Sequence, residues 1–296
     1  MEEKESEIFL NHEYRRSVAS LERFAEKLQR VKENDNKKKT VNLTKYRYIH
    51  PCFAVLVAAM PYVNNKTVIT YFKNDYKCVE FLRISGIYQH YTAQNDVSVF
   101  DIKKGAINFQ IVEDIDKCQE VAEKIIDSFP VKLDEEAKNT LISKVYEVIS
   151  NSFFHSQQNK VFCCGFFDNQ GALNFSIYDF GVGIPYNVRS FLGKSITDSN
   201  ALRWAWQQGH STLKEDYPRG EGFHTLQEFA IENHGEIMVG SDMAYCVINS
   251  EKELFGEMHY SMPGTFFSMR IKKDFAHKYK KGKNKNIIRE NLKEER

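Results

Sequence analysis

The segment from Leu173 to Pro185, LNFSIYDFGVGIP, constrains the fold more than any other stretch of the chain. Leu173, Phe175, Ile177 and Asp179 alternate with the period of a β-strand, so all four point to the same face. That face is apolar until its last position, which is a carboxylate. An ionised carboxylate beside a core is costly unless something satisfies it. A purine amino group, or a water relaying to one, would serve, and so would a backbone amide in the following turn. Gly181 and Gly183 then let the chain turn and approach a ligand closely. Upstream, KVFCCGFFD reads as a second strand, and the intervening DNQG is a hairpin signal.

Around this hairpin the chain of 296 residues has room for one large domain or two ordinary ones. From Glu7 to Tyr91 the expected order is strand, helix, strand, helix, strand, helix. The elements are a short strand at Glu7–Tyr14, an amphipathic helix at Ser17–Val31 and a strand in TVNLTKYRYI. A helix opened by Pro51, a strand in KTVITYF and a helix in YKCVEFLRISGIY follow. Such alternation points to a small α/β layer. From about Phe100 onward, two helices (DIDKCQEVAEKIIDSF and LDEEAKNTLISKVYEVISNSFFHS) precede the hairpin. Later strands are expected in EIMVGS, YCVIN and GTFFSMRIK. Helices followed by antiparallel strands suggest an α+β sandwich with helices on one face of the sheet.

Three further pieces bear on chemistry. On the long helix, Glu147, Asn151 and His155 stand at i, i+4 and i+8, a spacing that stacks a carboxylate, an amide and an imidazole in one row. Such a row is either an exposed polar stripe or a set able to ligate magnesium and polarise water. Val145, Val148, Ile149 and Ser152 lie around the other side, toward the sheet. In GHSTLKEDYPRGEGFHTLQEF, Gly220 and Gly222 lead into a helix, whose first N–H groups suit an anion. Arg219 and the hydroxyls of Ser211 and Thr212 add donors beside it. Finally, Gly264-Thr265 opens a strand with a hydroxyl able to reach a base or a water.

Taken in order, these pieces resemble the boxes of the GHKL ATPase superfamily, whose nucleotide site is the Bergerat fold. Glu147, Asn151 and His155 match its Glu-x-x-x-Asn-x-x-x-His box. Asp179 to Pro185, including Ile184, matches its Asp-x-Gly-x-Gly-Ile-Pro adenine box. Gly220-Glu221-Gly222-Phe223 matches its phosphate box, and Gly264-Thr265 the last. GHST followed by RGEGF looks like the lid of anti-sigma-factor serine kinases. The resemblance implies ATP and Mg2+ as cofactors, with Asn151 holding the metal between the phosphates. It places Asp179 on the adenine amino group and gives Gly220 and Gly222 backbone donors to phosphate. Glu147 becomes the general base that orients a water or a substrate hydroxyl. The N-terminal layer resembles the STAS-like fold of bacterial regulators, with Ile49-His50-Pro51-Cys52-Phe53-Ala54 at the regulatory turn. Anti-anti-sigma members carry a phosphorylatable Ser where this chain has Pro51.

The expected organisation is therefore a STAS-like α/β domain over residues 1–100 and a GHKL α/β sandwich over 101–273, with a mixed sheet and helices on one face. A charged tail occupies 274–296. Between Lys272 and Arg296, ten Lys or Arg stand against four Asp or Glu, the composition of a solvated tail. Over the whole chain the formal net charge is only +1, so no global field steers it toward nucleic acid or an acidic membrane. Nucleic acid is thus expected, if anywhere, at the tail. No apolar run reaches the length of about 18 residues that a membrane helix needs. The six cysteines form no C-x-x-C pair and read as reduced, buried thiols of a cytoplasmic protein.

The function expected is an ATPase or a serine/threonine protein kinase in signalling, whose protein partner or substrate is held by the STAS-like domain. A homodimer is compatible with this reading. Two alternatives stand beside it. One is an ATP-gated interaction switch in which a lid over Ser195–Gly222 closes with little turnover. The other is a histidine kinase phosphorylated on His12, since NHEYRRSVASLERF looks like a phospho-acceptor box. Asp179-Phe180-Gly181 also mimics the metal-binding tripeptide of protein kinases, but the other kinase signatures are missing. FLGKS mimics a P-loop end, yet the required first glycine is Val188.

Overall fold

The computed structural model describes residues 6–10, 13–33, 38–43, 48–63, 67–70, 107–156, 159–168, 170–212, 222–272 and 278–279. The helix expected in YKCVEFLRISGIY lies outside the described residues, as do His12, Cys78, Arg219 and Gly220. Within those described, the chain is a mixed α/β protein with both parallel and antiparallel sheets. No described helix is long and apolar enough to cross a membrane.

The centre is an antiparallel five-stranded sheet. Its strands are β6 (Ile107–Val112), β8 (Val161–Phe167), β9 (Leu173–Asp179), β10 (Glu236–Asn249) and β11 (Glu253–Ile271), in spatial order β10-β11-β9-β8-β6. The hairpin expected from DNQG joins β8 to β9, with Val161 opposite Asp179 and Phe167 opposite Leu173. Its turn is held by Asp168, whose Oδ1 accepts from the N–H groups of Gln170 and Ala172, both at 2.9 Å. This is the local hydrogen bonding that favours Asp in turns.

One face of the sheet is covered by α3 (Cys118–Asp127), α4 (Glu135–Ser156) and α7 (Gly222–Glu232). Helix α4 begins where Asp134 caps it, accepting from the Ala137 N–H at 2.9 Å, with Glu135 and Glu136 in the first turn. Both features match the positive end of a helix. Leu173, Phe175 and Ile177 turn toward these helices and share their core with Val145, Ile149 and Phe229.

The opposite face is covered as well. Helix α1 (Val18–Lys32) and α2 (Ala54–Val63), the latter entered through a 3-10 turn at Pro51–Phe53, pack there. They share one apolar core with Phe162, Cys164, Tyr178, Met238 and Phe266 of the sheet. Phe53 stacks on Phe266 with ring centroids 5.8 Å apart, and Ala54 to Met60 are fully buried. Helices thus lie on both faces of this sheet, where the sequence suggested one. Adjacent Cys163 and Cys164 divide between the two cores, as neighbours in a strand must.

Outside α1 and α2 lies a three-stranded parallel sheet, β1 (Ser6–Phe9), β3 (Lys39–Asn42) and β5 (Thr67–Thr70). The strand expected over Glu7–Tyr14 is divided into β1 and β2 (Glu13–Tyr14), and that in TVNLTKYRYI into β3 and β4 (Tyr48–Ile49). The second halves pair with each other as a separate two-stranded ribbon. From the tail, β12 (Lys278–Tyr279) pairs with β7 (Lys132–Leu133), so these two residues are not a purely solvated run.

A partly buried ion pair fastens the N-terminal segment to the sheet. Arg16 donates to Glu236 Oε1 at 2.7 Å and to Ser268 Oγ at 2.8 Å. Beside it, burial and then the Arg16 charge hold the His50 imidazole neutral, its pKa down at about 3. Burial likewise pushes the Cys52 thiol up to about 12, so this thiol is inert.

Candidate functional site

On the α3/α4/α7 side, the sheet and helices leave a cleft whose empty volume, mouth included, is about 980 Å3. Helix α4 contributes Glu147 and Asn151 to its wall, and the end of β9 contributes Asp179. The start of α5 (Ile184–Leu192) contributes Gly183 and Ile184. The segment after α6 (Asp198–Ala205) adds Ser211 and Thr212, α7 adds Gly222 and Phe223, and β11 adds Thr265. Residues separated by more than a hundred positions thus converge on one concavity. Gly181 does not line it, and serves Asp179 instead. His155 falls near the end of α4, and its side chain, like Arg219 and Gly220, lies outside the described residues.

Asp179 sits at the floor, 4% exposed. Burial raises its pKa to about 6, against three donors that favour the carboxylate: the Gly181 N–H, the Ser152 hydroxyl and the Thr265 N–H. The Gly181 bond is 2.8 Å. The backbone-amide partner anticipated from the sequence is therefore present. Two carboxylate oxygens accept about four hydrogen bonds, so three donors leave room for one more. Ser152, expected on the sheet side of α4, also lines the cleft.

Glu147 is mostly buried and pairs with Lys144 at 3.4 Å. The first turn of α7 presses on it: a Cβ at Gly222 would stand 3.0 Å from the Glu147 carboxyl carbon and 3.1 Å from Oε2. A side chain there would push the carboxylate back by a few tenths of an ångström. At the other end, Gly264 has φ +88° and lies against the Asp179 carbonyl, where a methyl group would overlap the backbone. Gly264 is thus what allows β11 to bring Thr265 alongside Asp179, its register partner.

Trp204, His210 and Phe267, assigned no role from the sequence, also line the cleft. Trp206 stacks on Phe223 with centroids 4.5 Å apart and planes 8° from parallel. Trp204 packs on His210, whose Nδ1 lies 2.9 Å from the Trp204 carbonyl. A carbonyl only accepts, so Nδ1 carries the proton. Helices α5 and α6 are tied to β10 through Arg189, which pairs with Asp198 and, at 3.5 Å, with Asp242. Asp242 has φ +51° at a bulge in β10.

Neither known protein-family models nor the curated proteins give a match to this chain.

Proposed function

We propose that the cleft binds Mg·ATP in the manner of the GHKL superfamily and that the chain is a regulatory ATPase or serine/threonine kinase. The observation that carries this reading is that described residues from each of the four sequence boxes, on α4, the β9–α5 turn, the α7 start and β11, line one cavity. Asp179 and Thr265 offer a polar floor to a purine, and Ile184 and Phe223 flank it with apolar surface. The start of α7 offers backbone donors to phosphate.

The residues fit magnesium held chiefly by nucleotide. Among the described residues no group of three or more His, Cys, Asp or Glu is placed to cage an ion. Magnesium commonly keeps several waters and takes one or two protein ligands plus substrate phosphates. Asn151 would be such a ligand, and the bound ion would neutralise charge developing on the phosphates. Glu147, one turn earlier on the same helix face, would accept the proton of a water or a substrate hydroxyl and aim it at the terminal phosphate.

The outer β1-β3-β5 sheet with α1 and α2 as crossovers supports a STAS-like reading of the N-terminal segment. The sides of α1 and α2 that face the central sheet are already occupied within the chain, so a protein partner would meet other surfaces. A cytoplasmic setting belongs to the same proposal. The alternative of an ATP-gated switch shares the site and differs only in turnover.

Equilibrium titration with ATP, with and without Mg2+, together with release of labelled phosphate, tests the proposal. Asn151→Ala should lose Mg-dependent affinity and turnover; unchanged values would overturn the site. Glu147→Ala should keep binding and lose turnover. Normal hydrolysis by that variant would place the base elsewhere, and binding without turnover in the parent chain would favour the switch.

A further inference from the structure

Ser241, on β10, belongs to none of the four boxes, yet it sits at the junction of two of them. It is fully buried. Its Oγ accepts from the Ile184 N–H at 2.8 Å, lies 3.1 Å from the Gly264 carbonyl oxygen and 3.0 Å from Thr265 Oγ1. A serine hydroxyl has one proton and two lone pairs. The Gly264 carbonyl can only accept, so the serine proton belongs there; two oxygens 3.1 Å apart with no proton between them would repel. The Ile184 N–H fills one lone pair. The remaining one takes a proton from Thr265.

Thr265 Oγ1 therefore spends its proton on Ser241 and turns only lone pairs toward the cleft. Next to it the Asp179 carboxylate is also an acceptor. We propose that Ser241 is a positioning residue that fixes the polarity of this end of the cleft, making it read a base edge bearing an N–H donor and reject one bearing a carbonyl. This rests on the nucleotide reading above and extends it to base selectivity. The device depends on Gly183 and Asp242. A side chain at Gly183 would come within 3.0 Å of Ser241 Oγ, and the bulge at Asp242 shifts the register beside Ser241.

The test is the ratio of affinities for ATP and ITP, which differ at C6, amino group against carbonyl, and at N1, lone pair against N–H; the relay concerns the C6 group, and 2′-deoxy-ATP is the control. The parent chain should favour ATP by roughly 10–100-fold, the cost of facing acceptor to acceptor in a buried site. In Ser241→Ala, Thr265 regains a proton to donate, and the ATP:ITP ratio should fall about tenfold. The ATP:2′-deoxy-ATP ratio should stay fixed. A general loosening of the cleft would move both ratios, and an unchanged ATP:ITP ratio would overturn the relay. Should Ser241→Ala fail to fold, Thr265→Val asks the same question, and full discrimination by that variant overturns the relay too. A parent chain that binds neither nucleotide overturns the site reading itself, and the relay with it. One that binds ATP and ITP equally overturns the relay alone.

Discussion

The two faces of the central sheet are built from the same strands and have opposite characters. Toward α1 and α2, the sheet offers Phe162, Tyr178 and Phe266, and the N-terminal segment closes over them with almost no polar interruption. Toward α4 and α7, the core formed by Phe175, Ile177 and Phe267 stops short, and Asp179 and Thr265 stand where further apolar residues would have completed it. A cleft arises here because two positions at the strand ends exchange packing for hydrogen-bonding groups. Those groups stay in place because backbone amides, Ser152 and Ser241 satisfy them. The closed face contributes cohesion, and the open face spends some of it on a site.

The largest effect should come from opening the closed face. Phe53→Ala removes a fully buried ring that stacks on Phe266, and a change of that kind costs about 3–5 kcal/mol. If the two faces form one cooperative unit, Phe53→Ala should lower a single denaturation midpoint followed both by far-UV circular dichroism and by the fluorescence of Trp204 and Trp206, which lie on the other side. Two separate transitions, with only one displaced, would show that the N-terminal segment melts independently of the sheet it covers.

A smaller effect sharpens the open face. Burial holds the Asp179 carboxyl at about 6, above its ordinary 3.8. The folded chain without ligand therefore binds this proton more readily than the unfolded one. That contribution to stability is fully present below the ordinary value and is lost as pH rises through about 6. A ligand N–H that donates to Asp179 favours the ionised form, so its binding should run the other way. Affinity should be level above pH 7 and weaken about tenfold for each pH unit below 6 if only the carboxylate binds. Calorimetric titrations in two buffers of different ionisation heat should detect proton release near pH 5.5. Affinity flat from pH 7.5 to 5 would mean that Asp179 is a structural carboxylate satisfied by its three protein donors alone.

The contrast between the faces also explains what the sequence made legible. Asp179 was found because strand alternation is local: four residues suffice to show an apolar face ending in a charge. Glu147 and Asn151 were found because a helix repeats within the same turn-to-turn spacing. Ser152 was assigned to the sheet side, since a helical wheel does not show that the sheet ends beneath it and leaves that side open to the cleft. Ser241 carried no signal, because its role arises from a bulge in β10 and from a glycine 23 positions later. The covering of the second face did have one. On β8 the positions that a one-sided sheet would expose, Phe162, Cys164 and Phe166, are all apolar, although β9 places Asn174 and Ser176 before Tyr178 on the same face, and strands buried on both faces read as β8 does.

The smallest effect separates two ionic contacts that tie the neighbourhood of α1 to the sheet. Arg16 is buried and gives Glu236 and Ser268 four hydrogen bonds, two to side chains and two to carbonyls. Within α1, Glu22 accepts from the His259 backbone N–H at 2.6 Å and lies 2.5 Å from its Nδ1, but the His259 side chain is 90% exposed. The shared contact with a backbone amide survives loss of the ring, and a solvent-exposed imidazole gains little from a carboxylate that water already screens. His259→Ala should therefore change stability by no more than about 0.5 kcal/mol, with the midpoint equally insensitive to salt in parent and variant. A larger loss, removed by salt, would mean that the closed face is fastened at its exposed rim as well as by its buried rings and Arg16.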